Sequence, residues 1–159
     1  MHFGDVTENA EPANDVFLAA HSLVFDKGDG STEHLERLSE DARLVYLIWC
    51  FEGEIYNGGF DQLFVNSLGN HCQEILVNLE KIGAHNSRAL LLRATGWYPN
   101  GAPSANRQER WKQAQALASN QQYLDAIEIL DSEYYEDKDD MTGLLNAFVR
   151  GRPNATVGA

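Results

Sequence analysis

Hydrophobic positions recur along this chain at helical spacing, in segments divided by glycine and proline. Val16, Ala20, Leu23 and Val24 form the first such stripe, with Asn14 placed as an N-cap. Asp26-Lys27-Gly28-Asp29-Gly30 reads as the turn that ends it. That turn looks superficially like a calcium loop, but it lacks the alternating ligands and the distal bidentate glutamate. Ser39, followed by Glu40 and Asp41, predicts a helix start, because acids suit the positive end of the helix dipole. Leu44, Ile48, Phe51 and Ile55 follow on one face, with Val45, Trp49 and Tyr56 beside them. A helix apolar on two faces belongs at the centre of a bundle.

Gly58-Gly59 stops that helix. Phe60, Leu63, Phe64 and Leu68 predict a short amphipathic piece ending at Gly69. Cys72, Ile75, Leu76, Leu79 and Ile82 mark the next helix, terminated by Gly83. Leu90, Leu91 and Leu92 sit in another, and residues 96–106 read as a loop. Trp111, Ala114 and Ala118 mark a further helix. Tyr123, Ala126, Ile127, Leu130 and Tyr134 line one side of a helix near 121–136, and Met141, Leu144, Leu145, Phe148 and Val149 form the last. The pattern predicts an all-α fold, a compact single-domain bundle of seven or eight short helices over 13–150. Residues 1–12 read as a flexible lead-in and 151–159 as a flexible tail.

Charge then narrows the function. With 24 acidic and 12 basic residues among 159, the net charge is −12. Such a chain is repelled by nucleic acid and anionic lipid, so a basic partner is expected instead. No signal peptide is visible at the N-terminus, and the longest apolar run, Leu44–Phe51, is too short to span a bilayer. A cytoplasmic protein with reduced, buried Cys50 and Cys72 is expected.

Catalytic signals are weak. The five histidines show no metal-ligand spacing, and no phosphate-cradling glycine motif is present. The expectation is a non-enzyme without metal or cofactor. Glu54 and Asp61, flanking the glycine pair, are the one carboxylate set that would suit a hydrolase. Bonding around the turn is the plainer reading of both.

The most distinctive stretch is Asn57-Gly58-Gly59-Phe60, followed by Gln62, Phe64 and Asn66, with Lys81-Ile82-Gly83-Ala84 further on. The two glycines permit a sharp turn between packed helices, and the asparagines can bond the backbone groups freed at its edges. On these residues the chain resembles the bacterial DNA-mimic protein family, over about Leu44 to Val149. The resemblance implies a small acidic helical protein, dimeric in its characterised form. Such a protein presents carboxylates in place of phosphates and occupies the DNA-binding face of a transcription regulator. Asn57, Gly58, Gly59, Phe60, Phe64 and Asn66 look like determinants of the fold within that resemblance.

The acids themselves offer two candidate surfaces. Asp125, Glu128, Asp131 and Glu136 fall opposite the apolar stripe of their helix, and Asp137, Asp139 and Asp140 continue the run. Acids three or four apart on a helix lie about 5–6 Å from one another. That approaches the line density of one DNA strand, about one phosphate per 3.4 Å. Glu33, Glu36, Glu40 and Asp41 form the second patch. An immunity or adaptor protein without DNA mimicry is the alternative, and would bind through aromatic anchors with little salt dependence.

Overall fold

The computed structural model describes residues 1–25, 34–136 and 138–159. Glu33, Asp137 and the turn at 26–30 lie outside the described residues. The fold is all-α: seven α-helices and four short 3-10 turns, with paired strands reduced to isolated bridges among the described residues. By its contacts the chain divides into two compact units.

The first unit comprises Met1–Trp49 and Asp140–Ala159. Its helices are α1 (Pro12–Val24), the opening turns of α2 (Glu40–Val65) and α7 (Met141–Arg150). Helix α1 begins two residues before the expected Asn14 cap, because Pro12 suits the first turn, where no amide partner is needed. Ser39 caps α2 as expected, accepting the Ala42 amide at 3.2 Å. Phe17 stacks on Tyr46 and Trp49, with centroids 5.6 and 5.1 Å away. The two ends of the chain are hydrogen-bonded to one another. Phe3 is fully buried and donates its amide to Ala155 O at 2.8 Å, while Val157 donates to Met1 O at 3.0 Å.

The second unit is Cys50–Asp139. It holds the rest of α2, α3 (Cys72–Ile82), α4 (His85–Thr95), α5 (Arg107–Leu117) and α6 (Gln121–Tyr134). Gly83 closes α3 in the left-handed conformation, φ 81°, as its position predicts. Helices α3 and α6 both pack against α4. Phe51, Phe60 and Tyr134 meet edge to face, at 5.8 and 6.1 Å from the Tyr134 ring. Neither cysteine is in a disulfide. Cys72 is buried, and desolvation pushes its pKa up to about 12, which makes it unreactive; Cys50 is only half-buried, against expectation.

Candidate functional site

The glycine pair breaks α2 without ending it. Gly58 and Gly59 leave helical geometry and the helix resumes at once, running to Val65. Gly59 has φ 73°, and a Cβ there would collide with the Asp131 carboxylate. The close approach has a cause. Asp131 Oδ1 accepts the Phe60 amide at 2.9 Å, satisfying one of the free amides where the helix restarts. Asp131 thus faces inward and is half-buried. Desolvation raises its pKa above the ordinary carboxylate value; the Phe60 amide opposes that and the neighbouring Asp61 charge adds to it.

The other polar groups around the break are also satisfied internally. Glu54 accepts the side-chain amides of Gln62 at 2.7 Å and Asn66 at 2.9 Å, so one carboxylate spans the break. Asn66 therefore bonds a side chain, where a backbone partner was expected. Asp61 accepts the Tyr123 hydroxyl proton. Burial is the main reason the Tyr123 hydroxyl is held well above its ordinary pKa, and that hydrogen bond reinforces it.

The buried Arg110 was invisible in the sequence. It is 0% exposed on α5, a helix of which it is the one buried residue. It donates to Phe64 O at 2.6 Å, Ser104 O at 2.6 Å and Asn66 O at 2.8 Å. Three carbonyls in place of a carboxylate leave its charge dispersed, and desolvation lowers its pKa. Its neighbour Trp111, which with Ala114 and Ala118 marks the helix in the sequence, is 52% exposed. A signal existed: Arg107–Leu117 is mostly polar, and such a helix has no continuous apolar stripe to bury.

The expected acidic surface is less continuous than its spacing suggested. Asp125 and Glu128 are exposed on α6; Asp125 accepts the Gln121 side-chain amide at 2.7 Å. Asp131 turns inward, three residues on. Glu136 pairs with Lys138 at 2.7 Å. Asp139 accepts the amides of Asn86 and Ser87, capping α4. Asp140, in the first unit, caps α7 through the Gly143 amide at 3.2 Å. In the second patch, Glu36 bonds His34 at 3.0 Å, Asp41 pairs with Arg152 at 3.1 Å, and Glu40 is exposed. Three members of the run, Asp131, Asp139 and Asp140, are thus anchors of backbone amides.

Among the described residues, no group of three histidine, cysteine or carboxylate side chains could hold a metal ion. No helix described is long and apolar enough to cross a membrane. A protein-family model described as DMP19-like protein matches residues 36–152. No curated protein and no solved structure matches the chain.

Proposed function

Because the chain belongs to the DMP19-like protein family, we propose that it is a non-catalytic DNA mimic, occupying the DNA-binding face of a basic protein such as a transcription regulator. The family match carries this reading, and the net charge of −12 supports it. The working surface is centred on Asp125 and Glu128 of α6, which point to solvent and serve no backbone amide in the fold. Glu136 extends it within the second unit, Glu40 offers a separate exposed acid in the first, and Asp131, Asp139 and Asp140 are left out. The partner's basic face, which would displace counterions from DNA, pairs with these carboxylates instead. The protein acts in the cytoplasm, where such regulators work. A homodimer, which the resemblance implied, would offer paired faces to half-sites about 34 Å apart.

The test is competition. A DNA-binding protein captured from extract at about 50 mM salt should be released by about 200 mM salt, since each phosphate-like contact made steepens the salt dependence. Duplex DNA carrying that protein's own site should displace it too. The double variant Asp125→Asn/Glu128→Gln should weaken capture and lower the salt slope. Retention in the presence of excess specific DNA would remove the reading.

A further inference from the structure

A cleft of about 240 Å³ opens beside α5 and α6, lined by Asp61, Gln62, Val65, Trp111, Gln115 and Tyr123 among others. Its walls are mainly apolar. Trp111 is 52% and Val65 38% exposed, so this apolar surface lies open to water. Asp61 is exposed and its one bond is to the Tyr123 hydroxyl; no lysine, arginine or histidine pairs with it among the described residues. The cleft therefore joins an aromatic wall, an apolar passage and a carboxylate whose charge is not balanced.

We propose that this cleft receives an arginine side chain presented by a basic protein partner, its guanidinium lying against Trp111 and pairing with Asp61. The chemistry selects the occupant. An anion is repelled by Asp61 and by the net charge of the chain. A purely apolar group would strip water from Asp61 and give nothing in return. A cation on an aliphatic stem satisfies both walls and carboxylate. Arginine fits better than lysine, because its planar, weakly hydrated guanidinium stacks on an indole and offers a fork of donors to the carboxylate and the Gln115 amide oxygen. The proposal deepens the reading above and rests on it for one thing, the source of the arginine.

The experiment is an NMR titration of the full chain at low salt with acetyl-Gly-Arg-Gly-amide and with its lysine counterpart. The arginine peptide should shift the Trp111 indole and Gln115 side-chain amide signals saturably, and the lysine peptide should bind about threefold more weakly. Asp61→Asn keeps an acceptor for the Tyr123 hydroxyl and should weaken arginine binding about tenfold. Trp111→Leu, at an exposed position, should weaken it about threefold, followed through Gln115. Diffuse, unsaturable shifts over the acidic faces would overturn the proposal. So would equal binding of both peptides, or unchanged affinity in both variants. A cleft that fails this test while partner capture stays sensitive to salt and DNA would reject the arginine site alone. The reverse outcome would keep the site and reject the mimic.

Discussion

Glu128 and Asp131 stand three residues apart on α6, with the same charge and nearly the same reach, yet they belong to different regions of the molecule. Asp131 is drawn to the glycine break, where it accepts the Phe60 amide at 2.9 Å. The Glu128 side chain faces solvent. Around the break, polar groups are matched within the protein: Glu54 with two amides, Arg110 with three carbonyls. On the outer face of α6, Asp125 and Glu128 are exposed and hold no backbone amide, and on α5 the Trp111 indole is left exposed. A side chain already engaged in the fold is a poor binding group, since using it for a partner means breaking an internal bond first. The contrast separates what builds this protein from what is available to meet another.

Substitutions that break the contrast should differ most at Arg110. Arg110→Leu takes the guanidinium from three carbonyls; Asn66 O keeps the Gly69 amide at 3.2 Å, and the other two cost about 1–3 kcal/mol each when left unsatisfied, so a loss of about 2–6 kcal/mol is expected in urea unfolding. A loss under about 1 kcal/mol would mean that water readily replaces the guanidinium. Gly59→Ala comes next. It forces a side chain into φ 73° against Asp131, at a cost of about 2–3 kcal/mol. An unchanged melting temperature there would show that the break can relax.

Asp131 sharpens the comparison through pH. Asp131→Ala leaves the Phe60 amide unpaired and should cost about 1–3 kcal/mol, whereas Asp131→Asn keeps an acceptor. Because the folded pKa of Asp131 lies above its unfolded value, its contribution is fullest below the unfolded pKa, about 3.9, and is lost as pH rises through the folded one. The melting temperature of Asp131→Asn relative to the native chain should therefore rise from about pH 4 to neutrality. A fall over that range would reverse the sign assigned to Asp131. The smallest effect on stability belongs to Asp125→Asn/Glu128→Gln, within about 0.5 kcal/mol. Calorimetric unfolding that moves further than this would make those acids part of the fold.

Much of the fold was legible because helices announce themselves locally. The apolar stripes of α3, α6 and α7, the Ser39 cap and the Gly83 stop all depend on residues within a turn or two. The glycine pair was legible as a break, though its continuation as one kinked helix was not. The acidic site was legible only as a count. Helical spacing put Asp131 on the same outer run as Glu128, but the Phe60 amide that captures it lies 71 residues away. Asp139 was missed in the same way, since the amides it caps are 52 and 53 residues distant.

The sequence by itself determined the helical class, the position of the break, the excess of negative charge and the family. Tertiary structure decided which acids are spent on backbone amides, that Arg110 goes inside while Trp111 stays out, and that Asp61 ends in an apolar cleft. The reason is physical. Helix formation is governed by neighbours along the chain, whereas the state of a polar side chain depends on which unpaired donor or acceptor folding brings within about 3 Å of it.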